Sequence, residues 1–242
     1  MGGKSAFLLM VSLLVLTGLA CGVPGMGTAV TPPTPTPTGD LFILNIPAFT
    51  YNLAPGENVP GTGLVYLGRR EETFEVSMDN QITLKRPGDS FYWSGVLAPG
   101  VLANYNLRLT TPVFGSMPVA GPVEIIILNP EPVEELGVPS SVDRLRFSNA
   151  VIDYTVPPGS IVPGTTLRFE GIEARGQGGQ TTNFARLSGG NIYPYLALGD
   201  SLVWTGRLRD NVHIAYNLRV TNLSERGVRL SGVADLWVDS LR

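Results

Sequence analysis

Two side chains stand out as able to do chemistry at neutral pH. His213 is the only histidine and Cys21 the only cysteine in the 242 residues. A Ser–His–Asp relay would have to pass through His213, and no Gly-x-Ser-x-Gly elbow precedes a helical pattern. The acids fall mostly in turns, such as Asp89 and Asp200, in connectors or on outward strand faces, with Glu71-Glu72 and Glu134-Glu135 as adjacent pairs. Adjacent residues of a strand point to opposite faces, so such pairs do not converge on one substrate. Calcium asks for six to eight oxygens, and no Asp-x-Asp cluster accompanies Asp89 or Asp200. Zinc-ligand spacing and a phosphate loop are both missing from the sequence. A two-carboxylate glycosidase stays open, since its acids can lie far apart in the chain. The expectation is a non-enzyme with no catalytic, cofactor-binding or metal-binding residue.

Aromatic residues are the other candidates. Trp93 and Trp204 fall on the apolar parity of their segments and read as core, as do Tyr105 and Tyr216. Trp237 falls on the other parity with Asp235, and its counterpart in an earlier segment is Ile126. Two outward apolar residues at matching places suggest a contact surface, between domains or for an external ligand. Tyr193-Pro-Tyr195 aligns with Ile82 and Leu84 and reads as strand. His213 aligns with Leu102 on a polar strand face and reads as an isolated surface histidine.

These alignments exist because the body of the chain is written twice. Tyr51-Asn-Leu-Ala-Pro-Gly-Glu-Asn-Val-Pro-Gly-Thr-Gly-Leu64 returns as Tyr154-Thr-Val-Pro-Pro-Gly-Ser-Ile-Val-Pro-Gly-Thr-Thr-Leu167. Gly88-Asp-Ser-Phe-Tyr-Trp-Ser-Gly95 returns as Gly199-Asp-Ser-Leu-Val-Trp-Thr-Gly206, and Tyr105-Asn-Leu-Arg-Leu109 as Tyr216-Asn-Leu-Arg-Val220. The displacement is 103 positions for the first block and 111 for the others, so about eight residues are inserted near Arg175 to Asn183. Units this long read as a duplicated domain rather than a solenoid.

Period two dominates after residue 40, in short runs split by Gly and Pro. In the first copy the runs are 41–45, 48–53, 62–68, 72–77, 80–84, 91–97, 101–110 and 119–128. Val101, Ala103, Tyr105, Leu107 and Leu109 share one face, as do Val212, Ile214, Tyr216, Leu218 and Val220. The expected fold is all-β: two tandem homologous antiparallel β-sandwich domains, Ig-like in architecture, over 40–128 and 142–242. An acidic linker, 129–141, joins them, and each is expected to fold alone. Residues 40–128 carry five basic and eight acidic side chains, and 142–242 carry eleven and nine. Neither balance makes a nucleic-acid footprint.

The leading segment has its own logic. Lys4, an apolar run from Ala6 to Leu16, and small residues before Cys21 read as a signal peptide over 1–20. Leu16-Thr-Gly-Leu-Ala-Cys21 resembles the lipobox of bacterial lipoproteins, with Gly18 where a large aliphatic residue is usual. The resemblance implies that Cys21 is lipidated, becomes the mature N-terminus and holds the protein to a membrane. Residues 21–39 then form a Thr/Pro-rich linker, including Thr31-Pro-Pro-Thr-Pro-Thr-Pro-Thr38. In a polyproline conformation, at about 3.1 Å per residue, it would reach roughly 50 Å. The expectation is an extracytoplasmic lipoprotein at the bacterial cell surface, a non-catalytic binding or structural module with a protein or glycan partner. A carbohydrate-binding accessory protein is the first alternative, and an extracellular hydrolase the second.

Overall fold

The computed structural model describes residues 39–239 apart from 79, 112–114, 138–143 and 178–179. Cys21, the segment read as a signal peptide and all of the segment read as a Thr/Pro-rich linker except Gly39 lie outside the described residues. The described chain is all-β, with no helix. The described residues belong to one compact unit.

The first copy contributes β1 (Leu41–Leu53), β2 (Leu64–Arg70), β3 (Thr73–Met78), β4 (Gln81–Lys85), β5 (Ser90–Ala98), β6 (Val101–Leu109) and β7 (Met117–Leu128). The connector holds β8 (Val133–Glu134). The second copy contributes β9 (Arg144–Val156), β10 (Arg168–Gln177), β11 (Gln180–Ser188), β12 (Tyr195–Leu196), β13 (Ser201–Arg209), β14 (Val212–Ser224) and β15 (Gly227–Asp239). Nine strands make one curled sheet in the order β5-β6-β7-β1-β9-β15-β14-β13-β8. Two three-stranded sheets, β2-β3-β4 and β10-β11-β12, complete the set. The duplication is thus visible in the pairing. Each copy runs four strands of the long sheet and three of a short one, and the first strands, β1 and β9, pair antiparallel at Asn45↔Val151.

The runs 41–45 and 48–53 are a single strand. Its register with β7 shifts between Ile46 and Phe49, around Pro47, which has no amide to give the ladder. The insertion lengthens a hairpin: β10 and β11 have 10 and 9 residues where β2 and β3 have 7 and 6. The inward faces follow the alternation. Val101, Ala103, Tyr105, Leu107 and Leu109 are all buried, as are Val212, Ile214, Tyr216, Leu218 and Val220. Leu64, Tyr66, Phe74 and Val76 from the first short sheet, and Phe169, Ala185 and Leu187 from the second, join the same core.

The doubled sequence motifs are backbone devices. Thr62 and Thr165 donate their hydroxyls to Val59 O and Val162 O, at 2.8 and 2.9 Å. They also accept from Leu64 N and Leu167 N, at 3.2 and 3.0 Å. Asp89 and Asp200 each accept from the amide three residues earlier, Arg86 N and Ala197 N, both at 2.8 Å. They are turn-closing residues. The buried phenols of Tyr105 and Tyr216 donate to Pro60 O and Pro163 O, at 3.3 and 3.0 Å. Burial pushes both phenol pKa values well above the ordinary range.

Candidate functional site: the outer face of the long sheet

Residues of opposite parity to the core form the outer face of the long sheet, and the two copies spend it differently. In the second copy one register row runs Arg207, His213, Trp237, Arg146 across β13, β14, β15 and β9. The matching row in the first copy is Val96, Leu102, Ile126, Ile43 across β5, β6, β7 and β1.

The second row is held together by charge. The Arg146 guanidinium sits 5.4 Å from the Trp237 ring centroid, a cation–π contact. Its Nη2 also reaches Asp235 Oδ2 at 2.6 Å. Asp235 Oδ1 accepts from the amide of Asn149 at 3.0 Å, at a backbone position with φ of 59°. Glu135, from the connector, lies 3.1 Å from His213 Nδ1 and 3.4 Å from Arg207 Nε. His213 is therefore not the isolated surface residue its parity suggested. It is buried, at 7% exposure. The connector reaches this row by main-chain pairing. Val133 and Glu134 pair with Arg207 and Gly206 as a ninth strand, so the segment read as an acidic linker is partly built into the sheet.

The first row has no such cover. Ile43 is 46% and Val96 60% exposed, and Ile126 and Leu102 between them are half-buried. Leu41, on the same strand face as Ile43, is exposed as well. Trp237 and Ile126 thus occupy equivalent places, Trp237 under an arginine and Ile126 in an open apolar row. Next to that row runs a polar ladder. Ser94 donates to Asn104 at 2.6 Å, and Asn104 donates to Glu124 at 2.7 Å. A shallow hollow of about 380 Å³ opens there, lined by Asn45, Pro47, Asn104, Asn106, Pro122 and Glu124 among others. The exposed Tyr92 pairs with Asn106 at its border.

The other sequence candidates separate. Trp204 is buried, and Trp93 is partly buried against the core. Tyr195 begins β12, whereas Tyr193 lies outside any strand and is 69% exposed. Arg175, carried on the lengthened hairpin, covers one face of the Tyr195 ring at 3.3 Å from its centroid. No group of three or more potential metal ligands occurs among the described residues. The strap of Glu135 onto His213 leaves no sign in strand parity, because pairing between β8 and β13 has no local pattern. The contrast of Leu102 with His213 and Val96 with Arg207 was available in the alignment of the repeats and is the signal that could have found it.

Comparison with protein-family models, with curated proteins and with solved structures finds no match for this chain.

Proposed function

We propose that the protein is a surface-anchored lipoprotein that works by binding rather than catalysis, with the outer face of the first repeat as its contact surface. Cys21 would carry the lipid, and the Thr/Pro-rich segment would hold the body off the membrane on the extracytoplasmic side. Each repeat reads as a sandwich of four strands against three, Ig-like in its layers, with connections that meander from strand to strand. The observation that carries the reading is the open row Ile43–Ile126–Leu102–Val96, where the second repeat has a row closed by its own connector. A linear exposed apolar row flanked by a hydrogen-bonded polar ladder is the composition of a contact patch. The test is surface footprinting by side-chain labelling of the full chain, on cells and after purification at low concentration. Ile43, Val96 and Ile126 should be labelled several-fold less on cells, while Leu198 and Val203, exposed on the second repeat, should not change. Equal labelling in both states would rule the reading out.

The hollow beside Tyr92 favours a second reading, a carbohydrate-binding module. It is lined by Asn45, Asn104, Asn106 and Glu124 together with Ile46, Pro47, Pro122 and Val123, with no basic side chain among them, and the exposed Tyr92 stands across the strand pair from Asn106. That is a fit for a neutral polyol. Binding of a neutral glycan that Tyr92→Ala abolishes, with folding intact, would establish it.

A further inference from the structure

We propose that the chain pairs with a second copy of itself through the outer edge of β5, strand against antiparallel strand, so that the long sheet continues from one molecule into the next. The inference rests on the reading of the outer face as a contact surface and names the partner at its border.

The first ground is that equivalent edges differ. The β13 edge is covered by the connector. Glu135 N donates to Thr205 O at 3.0 Å and Glu131 N to Leu208 O at 2.7 Å, outside the β8 pairing itself. β5 stands 111 residues earlier in the repeat and ends the sheet, with no strand on its outer edge among the described residues. By equivalence with Thr205, the backbone of Ser94 faces that open edge.

The second ground is composition. Proteins normally blunt a bare edge with charge, proline, a bulge or brevity. β2 and β10 carry charges, β4 ends in Lys85, and β12 has two residues. β5 is Ser90-Phe-Tyr-Trp-Ser-Gly-Val-Leu-Ala98, nine residues with neither charge nor proline of its own, and Lys85 Nζ reaches its first carbonyl, Ser90 O, at 3.4 Å, so the bare stretch begins at Tyr92. Its register irregularity comes only after Val96, which leaves Ser90 to Val96 regular. The covered edge, β13, carries Arg207 and Arg209.

The third ground specifies the occupant. β8 brings Glu135 to Arg207 and His213, and the equivalents of those two are Val96 and Leu102. A strand added to β5 should therefore be uncharged, with apolar side chains on the outer face. β5 meets its own requirement, since Tyr92 and Val96 are 64% and 60% exposed on that face with Ser94 between them. Aromatic and β-branched side chains facing across an antiparallel pair are favourable. The chain joins its own halves through equivalent strands as well, since β1 and β9, the outermost long-sheet strands of their own copies, pair antiparallel at Asn45↔Val151. An isologous edge contact closes as a dimer.

The test uses the full chain in membranes. Tyr92→Cys, Ser94→Cys and Val96→Cys are treated one at a time with a short bismaleimide, against the unsubstituted chain for any background from Cys21. At least one position should give a product of twice the mass, and the strongest reports the register. Thr205→Cys, on the covered edge, should give none. Val96→Lys added to Tyr92→Cys or Ser94→Cys, whichever reacts the more strongly, should lower the yield about tenfold or more, since a lysine on each strand charges the shared edge. Val96 is exposed in the single chain, so the lysine should leave the melting temperature of the dilute, dissociated protein unchanged. No product at any of the three positions overturns the proposal, as does a yield that Val96→Lys leaves unaltered. A β5 edge protected from exchange in a protein that stays monomeric would mean another occupant, and overturns it too. Footprint protection of Ile43 and Ile126 on cells without cross-linking leaves the contact surface standing and removes self-pairing. Cross-linking without that protection does the reverse.

Discussion

Asp153 shows how a single exposed carboxylate becomes structural in only one of two copies. Arg229 grips it in a fork, Nε to Oδ1 at 2.8 Å and Nη2 to Oδ2 at 2.6 Å, and Ser231 donates to Oδ1 at 2.8 Å. The hydrogen bonds from Arg229, then that from Ser231, lower the carboxyl pKa from 3.8 to about 2. The folded value is depressed, so the ionised form favours the native state above pH 3.8 and loses that advantage as pH falls toward about 2. In the first copy the matching positions are Thr50, Pro118 and Ala120, which hold no such group. Asp153 should therefore titrate near pH 2 by carboxyl-selective NMR, and Asp153→Asn should flatten the stability profile between about pH 4 and 2. A titration midpoint at the ordinary aspartate value would show that the fork does not hold in solution.

Among the elements, the Trp-x-Gly repeat of β5 and β13 explains itself through close approach. A Cβ on Gly95 would meet Trp93 Cζ2 at 2.6 Å, and one on Gly206 would meet Trp204 Cη2 at 2.3 Å. The indole lies over the glycine two residues on, which is why the pair recurs. At Gly206 a second obstacle stands at 2.3 Å, the carbonyl of Val133 in β8. Gly206→Ala should thus cost about 1–3 kcal/mol by overpacking and speed amide exchange at Glu135. Gly95→Ala, with a half-buried ring to displace, should cost less. Equal losses would mean that β8 is not held as described. The inward faces of β6 and β14 were legible because period two survives in both copies. The fusion of two runs into β1 was not, since Pro47 interrupts the ladder without ending the strand. Nor was the burial of His213, which depends on a connector returning to pair at Gly206, a contact fixed by the tertiary fold and not by any local period. At the candidate surface, Trp237 and Ile126 were legible as equivalents. The arginine over one and the open row around the other required knowing which strands are neighbours.

At the scale of the molecule, the sequence suggests two domains that fold alone, and the geometry argues for coupling between them. Phe147 belongs to β9 in the second copy, yet its ring lies 5.8 Å from Phe49 and 6.4 Å from Tyr105, both in the first. The exchange is mutual, for a Cβ on Gly164 in the second copy would meet the Phe42 ring at 2.7 Å and Tyr216 Oη at 2.7 Å. Phe42 and Phe147 thus each pack where the other copy anchors its buried tyrosine. Backbone pairing between β1 and β9 is short, and the junction rests on these rings together with Asn211, which donates to Pro99 O at 3.1 Å. Phe147 is fully buried, and Phe147→Ala should destabilise the protein by about 3–5 kcal/mol through lost burial and the cavity left behind. Its effect should fall on both repeats together. Trp93 and Trp204 report one on each copy, so the check is chemical denaturation of two single-Trp variants, Trp93→Phe/Trp237→Phe and Trp204→Phe/Trp237→Phe, with and without Phe147→Ala. Coincident transitions that move down together are the expected result. Two separated transitions, with only that of the second copy moved, would show that the halves fold independently after all, and that the aromatic exchange across β1 and β9 is contact without coupling.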